Sequence, residues 1–177
     1  MSGFTRCVRS LIEKSGMAPR IEILGSKKLV GQQVRMRLSD DKTSELWRGF
    51  MPRKRKILFP VSTDLFCLQV FDDSLGFKDY NQHTEFTKWA AIEVANFDAI
   101  PEGLEAYMLL GGLYAVFLHK GAASTGAQTF GYIYGTWLPN SEYEFDNRAQ
   151  FEVLGAKYLN NDPNSEEEIW VPIKSKK

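Results

Sequence analysis

A single carboxylate stands among apolar residues late in the chain, at Glu152. Alternation over residues 149–158 puts Phe151 and Val153 on one face of a predicted strand and Glu152 with Leu154 on the other. If the Glu152 face were plain surface, the carboxylate would carry no chemistry. If that face lines a cavity, the loss of water around the charge makes Glu152 a receptor for a cation or a proton-transfer group.

Other side chains suited to catalysis or metal binding are few. His83 falls in a polar loop and His119 at the end of a predicted strand, and lone histidines are more often ordinary hydrogen-bonding residues than catalysts. Cys7 and Cys67 fit no metal or redox spacing, which indicates a reducing compartment, with Cys67 a buried small hydrophobe. No Ser/His/Asp or Cys/His set is recognisable, and we expect neither a metal site nor a cofactor.

The composition limits the classes of partner. The chain has 177 residues, of which 44% are hydrophobic and 13% aromatic, enough for a sizeable core and for rings that line a pocket. The formal net charge is zero, so no overall field favours nucleic acid or an anionic membrane. No apolar run reaches the length of about 18 residues that crosses a bilayer. The basic residues 53–56 fit a solvated connection after a helix. We therefore expect a cytoplasmic protein that binds neither DNA nor a membrane.

The elements that position Glu152 come in two similar halves. We expect residues 1–18 to form a loosely ordered amphipathic lead-in, with a partner-binding role as the alternative. Residues 19–177 are expected to form a single domain with halves at about 19–97 and 104–174. The predicted strands are residues 20–24, 28–38, 65–71, 86–94, 104–110, 113–119, 151–158 and 168–173. Both halves contain a strand-helix-strand-strand unit, which indicates an internal duplication.

The two predicted helices carry apolar stripes. The first follows the capping residues 39–41 and is expected to end at Pro52, and the second spans residues 125–138 and is expected to end at Pro139. The stripes are Leu46, Trp47, Phe50 and Met51 in the first helix and Phe130, Ile133, Tyr134 and Trp137 in the second. The fold class expected from these elements is α+β, an antiparallel sheet with helices on one face and a central cleft.

The duplication also suggests which strand faces meet the helices. The positions expected beneath the helices are Ala90, Ile92, Val94, Phe151, Val153, Ile169, Val171 and Ile173. The opposite face would hold Trp89, Glu93, Glu152, Leu154, Glu168 and Trp170. Equivalent positions in the two halves would be Val30 and Tyr114, Phe66 and Phe151, and Trp89 and Trp170.

A groove between the halves, floored by the two tryptophans and carrying Glu152, would explain why rings and acids share a face. The alternative is that Trp89 and Trp170 pack under loops or at an oligomer interface while Glu152 is solvated.

Four motifs resemble the GyrI-like small-molecule-binding family. They are GGLYAVFLHKG at 111–121, WLPNSEY at 137–143, FEV at 151–153, and the segment from NDP at 161–163 to IWVPI at 169–173. The resemblance covers roughly residues 19–174. This family also supplies effector-binding domains to transcription activators of the AraC type and the multidrug-sensing MerR type. The resemblance implies two strand-helix-strand-strand units of the SHS2 kind around a central ligand cleft.

The resemblance also implies site residues. The glutamate that anchors cationic drugs in multidrug-sensing members matches Glu152, and Leu154 matches a lining position. Trp47 falls near a lining aromatic, an acid near the last strand is loosely matched by Glu167, and another aromatic is replaced by Gly121. With the residues of the predicted groove, the candidate ligand-binding set is Glu152, Leu154, Trp89, Trp170, Glu93, Trp47 and His119.

Three functions follow from the residues and the resemblance together. The first is a stand-alone module, without a helix-turn-helix, that binds a lipophilic, cationic or aromatic molecule through the charge of Glu152 and the rings around it. The second is a hydrolase of strained, cyclopropane-type natural products with Glu152 as acid and base. The third, from another role of the family, is inhibition of DNA gyrase by contact between the two proteins.

Overall fold

The computed structural model describes residues 17–72 and 80–177. In these ranges the chain forms one antiparallel sheet of nine strands with helices on one face. The strands are β1 (Arg20–Leu24), β2 (Lys27–Met36), β3 (Pro60–Phe71), β4 (Phe86–Val94), β5 (Glu105–Leu109), β6 (Gly112–Lys120), β7 (Tyr143–Phe145), β8 (Gln150–Leu154) and β9 (Glu166–Ser175). The predicted fold class is therefore confirmed. The expected lead-in lies almost entirely outside the described residues, as do Cys7 and part of the loop that contains His83.

The order of the strands shows the duplication directly. It is β1-β6-β9-β8-β3-β4-β2-β5, with β7 added beside β9. This order reads the same from both ends when β1 is matched with β5, β2 with β6, β3 with β8 and β4 with β9. The first strand of each half is exchanged, because β1 pairs with β6 of the second half and β5 pairs with β2 of the first. Strands β3 and β8 meet at the centre.

Short connections between distant strands force the sheet to curl. Only Gly25 and Ser26 separate β1 from β2, although these strands hold the first and seventh places in the sheet. Leu110 and Gly111 join β5 to β6 in the same way, and the Gly111 N–H donates to Ser26 Oγ at 3.0 Å. A Cβ at Gly111 would lie 2.5 Å from the Leu24 carbonyl oxygen, so only glycine fits where the two turns touch.

The curl creates a core on the face away from the helices, here called the back face. Its buried residues form one cluster: Leu29, Phe66, Leu68, Trp89, Ala91, Leu109, Tyr114, Val116, Ala149, Phe151 and Trp170. Phe151 belongs to this cluster and Val153 packs against it, so the expectation that both lie beneath a helix is wrong. They are buried in the back-face core that forms inside the curled sheet. The equivalence of Val30 with Tyr114 is wrong for the same reason, since Val30 lies on the helix side.

Each helical segment covers the outer strands of its own half. Helix α1 (Thr43–Lys54) buries Leu46 and Phe50 against β2 and β4. The second segment runs from a 3₁₀ turn (Ala123–Thr125) through α2 (Gly126–Tyr132) and a π-helical turn (Ile133–Trp137) to α3 (Leu138–Asn140). It buries Ile133 and Trp137 against β6 and β9. The central strands β3 and β8 are left open between the two segments.

Neither proline ends its helix as expected. Pro52 lies inside α1, which continues to Lys54, because in the last turn a proline removes only one helical hydrogen bond. Pro139 is the second residue after the π-helical turn, and the second helical segment continues past it to Asn140. The strand predicted over residues 151–158 ends at Leu154, β3 begins earlier than predicted, and β7 was not predicted. In the two described stretches of the chain, none of the helices has the length and hydrophobicity of a membrane-spanning helix.

Candidate ligand-binding cleft

The open stretch of sheet between the helical segments is the floor of a cleft of about 2340 Å³. The floor is formed by Leu65, Cys67, Gln69, Lys88, Gln150, Glu152, Leu154 and Glu167, from β3, β4, β8 and β9. The walls include Trp47 and Met51 of α1 and Phe130 and Tyr134 of the second segment. Each predicted helical stripe therefore divides, with some members in the core and the others on a wall of the cleft. Aromatic walls over a charged floor suit a ligand that has both rings and charge.

Strand pairing fixes the face on which Glu152 lies. Glu152 is directly opposite Cys67 on one side and Ile169 on the other, and Cys67 is opposite Ala90. Opposed residues of an antiparallel pair point to the same face. Since Ala90 and Ile169 belong to the clusters beneath the helices, Glu152 points to the helix side. The predicted grouping of Glu152 with Leu154 is therefore right, and the face assigned to that pair was wrong.

The expectation that Trp89 and Trp170 flank Glu152 is also wrong. Phe151 is opposite Trp170 and Leu68, and Leu68 is opposite Trp89, so all four side chains point to the back face. The tryptophans are 5% and 8% exposed there. Trp170 stacks on Phe151 with 5.4 Å between ring centroids, and its Nε1–H donates to Glu168 at 3.0 Å. Both indole rings pack in the back-face core.

Glu93 and His119 also lie outside the cleft lining. Glu93 is on the back-face side of β4 and forms an ion pair with Lys27 at 2.8 Å. His119 is buried, with Nδ1 2.7 Å from the hydroxyl of Thr129. Of the predicted ligand-binding set, the structure brings together Glu152, Leu154 and Trp47.

A chain of hydrogen bonds ties one wall of the cleft to its floor. The Tyr134 hydroxyl donates to Gln150 Oε1, and Gln150 Nε2 donates to Gln69 Oε1 at 2.6 Å. Burial, and then the charge of Glu152, raise the pKa of Tyr134, so this hydroxyl remains a donor at neutral pH. The wall beside Glu152 is thus held in place by the central strands themselves.

Two charged floor residues were missed or only loosely anticipated. Lys88 stands on β4 between the helix-facing positions Phe86 and Ala90, and Glu167 stands on β9 two residues before Ile169. A lysine within an apolar series on one strand face was the signal that could have identified Lys88. Glu167 gave a weaker signal, since residues 166–168 are all glutamates and only pairing shows which one faces the cleft.

Glu167 is a carboxyl that titrates near neutrality. Burial, and then the charge of Glu152, raise the pKa of Glu167 to about 7, from an ordinary value of 4.5. The folded protein therefore holds this proton more tightly than the unfolded chain does. The resulting stabilisation is fully present below about pH 4.5 and is lost as the pH rises through 7.

We expect Glu167→Gln to raise the free energy of unfolding at pH 8 by on the order of 1–3 kcal/mol, because glutamine never acquires the charge. At pH 4 the variant and the parent should be equally stable. Urea denaturation at both pH values measures the difference, and Glu102→Gln, at an exposed position before β5, is the matched control. An equal gain at both pH values would contradict the assignment.

Among the described residues, no group of three His, Cys, Asp or Glu side chains is placed to hold a metal ion. Burial, and then the charge of Glu152, raise the pKa of the Cys67 thiol, so this floor residue is uncharged. The charged side chains of the cleft floor are Lys88 and the carboxylate of Glu152, with Glu167 as the group that titrates near neutrality.

Comparisons with known proteins give one family and one curated relative. The profile of the Cass2 family, described as an integron-associated effector binding protein, matches residues 20–173. The transcriptional regulator BrlR of Pseudomonas aeruginosa is 29% identical over 134 residues, which are 75% of this chain and 47% of the regulator. The chain thus spans about half the length of this relative.

Solved structures share the fold at low sequence identity. An integron cassette protein from Vibrio cholerae has a TM-score of 0.66 at 14% identity, over 89% of this chain and 96% of that chain. The protein SAV2435, in a structure bound to tetraphenylphosphonium, has a TM-score of 0.57 at 18% identity, over 89% and 94% of the two chains. These likenesses concern the arrangement of helices and strands.

Proposed function

Because the chain belongs to the family of integron-associated effector-binding proteins, we propose that its effector is a lipophilic aromatic cation, bound in the cleft between α1 and the second helical segment. Glu152 is the anionic anchor, and the rings of Trp47, Phe130 and Tyr134 supply stacking and cation–π contacts, worth roughly 0.5–2 kcal/mol each.

The position of Glu152 carries this proposal. It lies on the floor at the central strand pair, between the walls that both halves contribute. A carboxylate in such a place has lost part of its water, so a cation without strongly bound water is its natural partner. The neighbour SAV2435, which was solved with tetraphenylphosphonium, supports the choice of ligand class.

The first test is a calorimetric titration with tetraphenylphosphonium beside the uncharged triphenylphosphine oxide, which has a similar shape. We expect the cation to bind at least about tenfold more tightly, because only the cation gains from the carboxylate. Trp47→Ala should weaken both ligands, and the cation more than the oxide, since the ring contributes contact area to both and a cation–π contact to the cation alone. Equal affinity for the cation and the oxide would contradict the proposal.

A second candidate is hydrolysis of a strained electrophile, which the neutral-range pKa of Glu167 beside Glu152 favours. Glu152 would accept a proton from water as the new C–O bond forms. Protonated Glu167 would give its proton to the electron pair released as the ring C–C bond breaks. Incubation with cyclopropane-bearing compounds and mass spectrometry tests this: a product 18 Da heavier, lost in Glu152→Gln, supports an enzyme, and recovery of the intact compound supports a binder.

A further inference from the structure

Lys88 is the cation on the cleft floor. It is partly buried on the helix side of β4 and lines the cleft together with Glu152. Within residues 17–72 and 80–177, its ammonium group forms no hydrogen bond or ion pair with another side chain. Burial alone would lower the pKa of Lys88, but the negative charges of Glu152, Asp41 and Glu167 raise it. The floor therefore holds a positive charge that is attracted by these carboxylates but forms no hydrogen bond or ion pair with a described side chain.

The sheet sets the distance between the backbone positions of Lys88 and Glu152. Lys88 is opposite Gln69 of β3, and Glu152 is opposite Cys67, two residues further along the same strand. Adjacent strands are about 4.8 Å apart and residues about 3.4 Å apart, so the two Cα atoms are separated by roughly 12 Å. A flat ligand lying over β3 would have Lys88 on one side and Glu152 on the other.

We propose, on the basis of the function proposed above, that Lys88 determines specificity and that the ligand is an aromatic zwitterion, in which a delocalised cation and a carboxylate share one rigid frame. The cation faces Glu152 and the ligand carboxylate faces Lys88. A ligand with only positive charge meets repulsion from Lys88 and leaves that ammonium without a partner in a partly dry site. A zwitterion satisfies both protein charges.

The experiment compares two fluorescent probes that differ at one group. Rhodamine B carries a xanthylium cation and a free carboxylate, and rhodamine B ethyl ester is the same dye with the carboxylate masked. Fluorescence polarisation gives the Kd of each for the full chain. We expect the parent protein to bind the zwitterion roughly tenfold more tightly than the ester, as for a hydrogen bond between charged groups.

In Lys88→Gln we expect that preference to disappear or reverse, with weaker binding of the zwitterion and tighter binding of the ester, because the repulsion of the cation is removed. Lys88→Arg should keep the preference. Lys56→Gln, an exposed lysine outside the cleft lining, removes the same charge and should change neither Kd.

The outcomes separate the two proposals. If the protein binds both dyes and Lys88→Gln leaves their ratio unchanged, the role of Lys88 is wrong and the cation-binding function stands. If it binds tetraphenylphosphonium but neither dye, the zwitterion class is wrong. If it binds none of these probes while remaining folded, both proposals are wrong.

Discussion

Glu152→Gln is expected to weaken the binding of tetraphenylphosphonium by about thirtyfold, equivalent to about 2 kcal/mol at the effective dielectric of a partly buried site. The substitution keeps the shape of the side chain and removes only its charge. The floor keeps the positive charge of Lys88, while Glu167, whose raised pKa depends in part on the charge of Glu152, ionises more readily and replaces some of the lost negative charge. Isothermal titration calorimetry measures the change in Kd.

Glu45→Gln is the control for this result. Glu45 is exposed on α1 and lies outside the cleft lining, so the variant has the same net charge as Glu152→Gln without touching the site. We expect its Kd to match that of the parent protein. The anchor role of Glu152 is refuted if the two variants bind the cation equally well, provided that thermal melting shows both to be folded.

Trp170→Ala is expected to lower the free energy of unfolding by about 3–5 kcal/mol, the cost of emptying a buried aromatic site. Trp170 fills the back-face cluster, where it stacks on Phe151 and meets Tyr114 edge to face at 5.9 Å between ring centroids. At a temperature where the variant is fully folded, its Kd for tetraphenylphosphonium should equal that of the parent. Denaturation in urea and the same titration check both statements.

Trp47→Ala is the matched comparison, because it removes the same side chain from the other face of the sheet. Trp47 is only partly buried, so we expect a smaller loss of stability together with weaker ligand binding. A Trp170→Ala variant that loses the ligand while folded would place the site on the back face instead.

Alternation predicted which residues share a face, but not which face the helices cover. The pairs Phe151 with Val153 and Glu152 with Leu154 were grouped correctly. The faces were then assigned on the assumption that the more apolar face of a strand lies beneath a helix. The curl of the sheet, which arises from two-residue connections between distant strands, gives the back face a core of its own. That arrangement depends on pairing across the whole chain, and local periodicity does not contain it.

The same limit explains the charged residues of the floor. A lysine or glutamate in a strand is normally taken as solvent-facing, and Lys88 and Glu167 face the cleft only because β4 and β9 flank the uncovered central pair. Glu152 could be selected as a candidate from the sequence because it stands alone among apolar neighbours and matches a family motif. The positions of Lys88 and Glu167 around it could be predicted only with knowledge of the strand order.

The exchange of β1 and β5 between the halves limits how the cleft could change shape around a ligand. Each half completes the sheet of the other at its edge. A hinge motion between the two halves would therefore break the hydrogen bonds of these strand pairs. We therefore expect the strands that form the floor of the cleft to keep their relative positions. Because the hydrogen bond from Tyr134 also holds the second helical segment to the floor, we expect molecules of different thickness to be accommodated by rotamer changes of Trp47 and Met51 on the opposite wall.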